Sequence, residues 1–466
     1  MLDQYKKWDL MSRKSLLILT ILLFLVCLQY PRFQQIRVNA SSGYPVHNLN
    51  TGLNYTTIQE AINANETINK HTILVEAGSY DERITINKSI SLIGQNRTDT
   101  LLNTKEYFWG TSINVTCDDA EVADFSFPLT FLTKIWVGPC SNVTIRNNII
   151  RSTRQCIVLN GSHGCSIKEN DISGPGLEEN DLFLLMGASG CIIENNSVLN
   201  ACYDGIGMYS SSNNVICNNM ISHNQYGIEF HGANTGNSIF HNNFVSNHPF
   251  QVSGIAGSNI WDNGLEGNYW SDYNGTDSNQ DGIGDTPYTI DQYNVDHYPL
   301  MGRFQSFNVS GRFSLPSNPF IFEEVDIIST STIGKVEFTW GDDVRSPTGV
   351  TTFLFLSDVT GQNDTAGFCR ITFPKNMFNS SRYPVFIGNL SSLFDMRVDI
   401  NETSNRILWS NSTHTTLYFS YSQPAPNTSE DDGIFILPEF PSFLVMPLFM
   451  IATLLVMIGH KRRHLT

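Results

Sequence analysis

Between residues 140 and 255, short apolar pairs straddle an asparagine and recur at a period in the low twenties. The runs are Ile145-Arg-Asn-Asn148-Ile-Ile150, Ile167-Lys-Glu-Asn170-Asp-Ile172, Ile193-Glu-Asn-Asn196-Ser-Val198, Ile216-Cys-Asn-Asn219-Met-Ile221 and Phe240-His-Asn-Asn243-Phe-Val245. Their asparagines are separated by 22, 26, 23 and 24 residues. A second apolar position follows four of the five asparagines, at Ile157, Ile206, Ile228 and Val252. No helical periodicity underlies the pattern, so each unit reads as short strands wound into one turn of a coil. Turns stacked ~4.8 Å apart would put the aliphatics in inner columns and the asparagines in a ladder at a bend. The 26-residue unit carries the insert GPGLEEN, expected to loop out at one edge.

Upstream, IQEAINA reads as a short amphipathic helix that caps the open end, where backbone groups would otherwise stay unpaired. ILVEAG, RITI and ISLIG follow as the first strands. Beyond Pro299-Leu300-Met301 the asparagine repeat stops and seven alternating segments begin, from KVEFTW and TTFLFLSD through MRVDI to TTLYFSYS, the pattern of a β-sandwich. The fold class expected is therefore all-β, a right-handed parallel β-helix followed by a β-sandwich. Its boundaries fall at 41–302 for the β-helix, 303–427 for the sandwich module and 428–439 for a polar linker.

The two ends add a setting. Lys6, Lys7, Arg13 and Lys14 precede the run SLLILTILLFLVCL, which makes residues 1–40 a signal peptide or signal anchor. Residues 440–459 are uncharged and long enough for ~30 Å of hydrocarbon, and the basic tail 460–466 would stay inside. A C-terminal transmembrane helix that holds the rest at the cell surface is thus expected. The formal charge of -16 removes nucleic acid from the partners, because phosphate binding needs clustered Lys and Arg. Seventeen Asn-x-Ser/Thr sequons spread along the exported part match a glycoprotein. Nine cysteines are too few for a disulfide scaffold of 466 residues. Cys165 and Cys191, each five residues before its asparagine, should adjoin inside the coil, as a disulfide or as two thiols.

One loop crowds oxygens together. In GTDSNQDGIGDT, Asp277, Asn279, Asp281 and Gly282 match the first, third, fifth and sixth places of an EF-hand loop. Ile283 would lend its carbonyl and Asp285 falls at the ninth place, but Tyr288 stands where the bidentate Glu belongs. The expectation is a shorter extracellular-type calcium loop, completed by Asp272, Asp291 or water, that pins the C-terminal cap of the coil.

YTTIQEAINA with SISLIGQN, the I-x-x-N-x-I repeats, and NYWSDYNGTDSNQDGIGDTPYTI followed by DHYPLM carry a resemblance. Over roughly 55–302 the chain resembles the NosD-like β-helix family of the pectin-lyase-like superfamily. That resemblance implies the coil fold and, through the periplasmic protein that gave the family its name, copper. Cys217 and His241, both two residues before a repeat asparagine, would then stack on neighbouring coils as a soft-metal pair. Leu437-Pro438-Glu439-Phe440-Pro441 resembles the PEF-type sorting signal of archaeal surface proteins, which implies a sortase-like processing enzyme as a partner. Gly367 to Lys375 resembles a stretch that recurs in archaeal secreted β-modules.

Catalysis finds little support in the residues. Ser162-His163-Gly164 resembles the Gly-His-Gly stretch of polygalacturonases, but Asp171, Asp181 and Asp204 follow it instead of preceding it. Arg146, Arg151, Arg154 and Lys168 offer basic groups without acidic partners in pattern. His223, His231 and His248 share no column in this register. The expectation is a non-catalytic glycosylated surface protein, with no catalytic or organic-cofactor residues, that binds carbohydrate or a surface-layer protein. A polysaccharide lyase or hydrolase and a copper-binding protein are the alternatives.

Overall fold

The structure is a computed structural model that describes residues 43–104, 110–175, 181–254 and 257–309, and beyond them 312–315, 318–321, 325–342, 350–360, 366–374, 385–389, 406–410, 412–422 and 432–436. The expected signal segment and membrane span lie outside the described residues, as does MRVDI. Among the described residues no helix is long and apolar enough to cross a membrane.

Three sheets of 10, 9 and 8 strands run along one coil, and strands of successive turns pair in parallel. An antiparallel hairpin, Val46–Asn48 with Asn54–Tyr55, closes the first sheet. Helix α1 (Ile58–Asn63) follows, capped by the Thr57 hydroxyl, and it buries Ile58, Ala61 and Ile62 on the coil's open end. Lys88 Nζ donates to the carbonyls of Ile62, Ala64 and Thr67 behind it, so the helix end is not left with bare oxygens.

The apolar repeat becomes an inner column in which Ile145, Ile167, Ile193, Ile216 and Ile239 are all fully buried. Beside it runs the asparagine ladder. Each side-chain oxygen accepts from the backbone N–H of the asparagine one turn earlier, as Asn170 Oδ1 does from Asn148 and Asn219 Oδ1 from Asn196. The ladder ends in a correction. Its rungs are Asn148, Asn170, Asn196, Asn219, Asn242 and Asn268, and Asn243 is not among them. The residue before each of the first five rungs adopts left-handed backbone, at Asn147, Glu169, Asn195, Asn218 and then His241. A bend that needs one left-handed residue fixes the rung that follows, whatever the neighbouring letters suggest. Asn243 instead exchanges two hydrogen bonds with the backbone of Phe304, at 2.7 and 2.8 Å.

A second ladder, Asn214 to Asn237 to Asn259 to Asn294, continues the column begun by the buried thiols Cys165 and Cys191, which are unbridged. The far end of the coil is filled by stacked aromatics. Trp270 lies between Phe244 and Tyr288 at centroid distances of 4.4 and 4.2 Å.

The later described residues form three antiparallel sheets, of five, four and two strands. In the five-stranded sheet Ala366–Pro374 pairs with Val325–Ser329 and His414–Ser422. Asp432–Ile436, expected as linker, is a strand between Val350–Thr360 and Val385–Asn389, because GIFI adds a β-branched and aromatic run after the acidic stretch. The five-stranded sheet touches the coil directly. Arg370 pairs with Glu266 at 2.9 Å, and the hydroxyls of Tyr418 and Ser420 donate to the carbonyls of Asp281 and Gln280.

Candidate functional site

Strands Asp204–Tyr209 and Tyr226–His231 lie side by side in the eight-stranded sheet, with Gly207 opposite Glu229 and Tyr209 opposite His231. Strand alternation sends Ile206, Met208, Ile228 and Phe230 inward, where all are buried. Gly207, Tyr209, Glu229 and His231 therefore share the outer face. The rings of Tyr209 and His231 stack at 4.1 Å and 12°. His231 Nε2 stands 3.1 Å from Glu229 Oε2 and 3.7 Å from Asp204 Oδ2. The 3.1 Å approach is an ion-pair contact and makes no hydrogen bond, and no N–H or hydroxyl donor reaches either Asp204 oxygen. Gly207 makes room for this arrangement, because a Cβ there would come within 3.0 Å of Asp204 Oδ2.

The Asp204 side chain is only 1% exposed. Burial pushes its carboxyl up to about 9, and the charges of Asp181 and Glu229 push in the same direction. Burial likewise raises Asp181, one turn earlier, and holds the Tyr209 phenol at about 12. Among the described residues, Asp204, Glu229 and His231 are the only three His, Cys, Asp or Glu side chains whose ligand atoms lie within 4.8 Å of one another. The cluster is flanked by a second aromatic stack, Tyr226 on Phe250 at 6.4 Å and 8°, and Phe250 is 57% exposed. A cluster of carboxyl groups and an imidazole thus adjoins two aromatic stacks on neighbouring strands.

Counting columns only from the repeat asparagine hid this cluster. The signal was present in a different register: Gly207 to Glu229 and Tyr209 to His231 are each 22 residues apart, one turn of the coil. His223 and His248 stay apart from it. The first is a left-handed bend residue and the second precedes Pro249.

The acidic loop folds back on its own carboxylates. Asp277 accepts from the backbone of Asp281 and Gly282, Asn279 Oδ1 from Asp281, Asp281 Oδ1 from Ile283, and Asp285 from Ser278. Burial raises the Asp277 carboxyl. The loop is roofed by the five-stranded sheet, with Gly282 packed on Phe368.

The soft-metal pair is not assembled, and the same one-residue correction explains why. Cys217 pairs with Phe240, so His241 stands one position out of its column. His241 Nε2 is instead 2.8 Å from Glu266, and its ring is covered by Phe304 at 3.9 Å. Burial pushes the Cys217 thiol up to about 12, far from the thiolate a copper ion needs. These residues do not fit the copper that the resemblance implied.

Two of the basic groups have acids after all. Arg146 pairs with Glu121 at 2.7 Å and Arg151 with Asp171 at 3.0 Å, so both are held in ion pairs on the coil surface. The His163 ring faces Ser189 at 3.0 Å, with no carboxylate in that contact.

The family model described as "Periplasmic copper-binding protein (NosD)" matches residues 29–275 of the chain. A Stutzerimonas stutzeri protein named "Probable ABC transporter binding protein NosD" is 40% identical over 82 residues, which cover 17% of this chain and 19% of that protein. The chain thus spans about a fifth of the length of the curated relative it matches. Among solved structures, a pectin methylesterase in complex with a hexasaccharide is similar at 13% identity and TM-score 0.34, over 44% of this chain and 78% of that one. The A-module of a mannuronan C-5 epimerase from Azotobacter vinelandii follows at 14% and 0.26, over 40% and 72%. The Dettilon tailspike protein is similar at 11% and 0.29, over 78% and 86%.

Proposed function

The chain belongs to the NosD family, and from that premise we propose an exported β-helix protein that binds neutral carbohydrate on the outer face of its eight-stranded sheet. The observation that supports this reading is the carboxylate and imidazole cluster of Asp204, Glu229 and His231 between the Tyr209 and Tyr226–Phe250 stacks. Sugar hydroxyls would exchange hydrogen bonds with the carboxyl groups and the imidazole while the aromatic rings cover the C–H faces of the sugar. A formal charge of -16 disfavours uronates, which carry the same sign. A glycan array probed with the full chain should retain neutral oligosaccharides and lose them with Phe250→Ala. Binding that is absent, or unchanged in that variant, would sink the reading. New reducing or unsaturated ends after incubation would mark a hydrolase or lyase instead.

The proposal places this face outside the cell. The signal segment, the span at 440–459, the sequons and the PEF-like stretch support an archaeal-type glycosylated surface protein, processed by a sortase-like enzyme or kept on its own membrane helix, with the later β-module as a spacer.

Calcium is the second part of the proposal. Asp277, Asn279, Asp281, Asp285 and the Ile283 carbonyl would supply oxygens to an ion that ties the acidic loop against the coil. The backbone bonds already made to these carboxylates hold the loop in its turn and leave further lone pairs for a cation. Millimolar calcium should then raise the unfolding midpoint of the full chain relative to chelator, and Asp277→Ala should abolish the difference. Identical midpoints in the two buffers would exclude the ion.

A further inference from the structure

The geometry of Asp204, Glu229 and His231 points to a binding site for a divalent transition-metal ion, of which we propose Zn²⁺ as the representative. An acidic patch alone would not carry this. What does is Asp204, a carboxyl almost fully buried whose oxygens meet no N–H or hydroxyl donor, only the neighbouring acids and, at 3.7 Å, an imidazole nitrogen that likewise has no hydrogen-bond partner. Buried polar groups are ordinarily satisfied, and two groups with three unsatisfied atoms at one spot mark a missing partner. A cation that accepts lone pairs from all three would satisfy them together.

The spacing fits. Zinc binds oxygen and nitrogen at ~2.0–2.2 Å, so tetrahedral donors stand about 3.4 Å from one another. His231 Nε2 lies 3.1 Å from Glu229 Oε2 and 3.7 Å from Asp204 Oδ2, on either side of that figure. The three ligand atoms all fall within 4.8 Å of one another. The imidazole nitrogen selects against calcium and magnesium, which take oxygen, and the absence of thiolate selects against Cu(I). A Cβ at position 207 would stand 3.0 Å from Asp204 Oδ2, so Gly207 keeps that oxygen uncrowded. Stacking on Tyr209 fixes the plane of the imidazole, as a supporting residue should. Three protein ligands leave a fourth position open to water or to a hydroxyl group.

This site lies within the face assigned to carbohydrate but does not need a glycan, so the test uses the metal alone. Calorimetric titration of the full, chelator-washed chain with zinc chloride should give one saturable site that excess calcium does not displace. Affinity should fall about tenfold or more in Asp204→Asn and in His231→Gln, since even outer-shell partners of a metal are worth ~10–100-fold. His231 is at the surface, so its variant keeps the coil folded if Asp204→Asn does not. Unsaturable binding, displacement by calcium, or equal affinity in wild type and His231→Gln would overturn the inference. None of these outcomes bears on the glycan array, and a blank array leaves the zinc titration untouched.

Discussion

Trp270→Ala should destabilise the coil by about 3–5 kcal/mol, the range for removing a large aromatic from a packed interior. Trp270 is 1% exposed and lies in a continuous stack with Phe244 below it and Tyr288 above, nearly parallel to both. Its Nε1 donates to Asp296 Oδ2 at 2.8 Å. Asp296 is itself fully buried, and burial lifts its carboxyl to about 6 despite the N–H groups of Asn268, Trp270 and Tyr298. The alanine variant therefore opens a cavity at the end of the core and removes one donor from a buried acid. Trp270→Phe separates the two effects. It keeps a ring in the stack and loses only the donor, for about 1–3 kcal/mol. Denaturant unfolding of the full chain, followed by near-ultraviolet circular dichroism, measures both. A Trp270→Ala midpoint indistinguishable from wild type would mean that the stack does not close the coil.

The architecture was legible because one physical requirement repeats. Every turn must bury an aliphatic and satisfy the backbone at its bend, so Ile145, Ile167, Ile193 and Ile216 recur with an asparagine three residues on. The error came where the letters were redundant. Phe240-His-Asn-Asn-Phe-Val offers two frames, and both place an apolar residue three before an asparagine. Only the left-handed backbone at His241 decides between them. The other frame would seat His241 beside Cys217, whereas in the fold it turns to Glu266 and Phe304. The candidate site was hidden for a related reason. Asp204, Glu229 and His231 belong to the eight-stranded sheet, whose columns are offset from the asparagine bend, and the room for Asp204 depends on the missing side chain of Gly207. Neither the offset nor the room is a property of any single repeat.

That ladder is also where two adjacent asparagines should behave in opposite ways. Asn196 is buried, and its Oδ1 accepts from both the backbone N–H and the Nδ2 of Asn170 at 3.0 Å. Its Nδ2 donates to the carbonyls of Ile167 and Glu194 and to Asn219 Oδ1. Asn196→Ala leaves the Asn170 N–H without its acceptor and removes the side-chain donor to Ile167, at about 1–3 kcal/mol for each buried group so stranded. The expected loss is about 3–5 kcal/mol once the small cavity is included. Asn195, one position earlier, is exposed and left-handed. Asn195→Gly suits that backbone and should stay within about 1 kcal/mol of wild type. Because each turn rests on its neighbours, the damage from Asn196→Ala should spread, and amides of the turns on both sides should exchange faster with solvent deuterium. If both variants unfold at the wild-type midpoint, the side-chain ladder contributes nothing, and the strands alone hold the coil together.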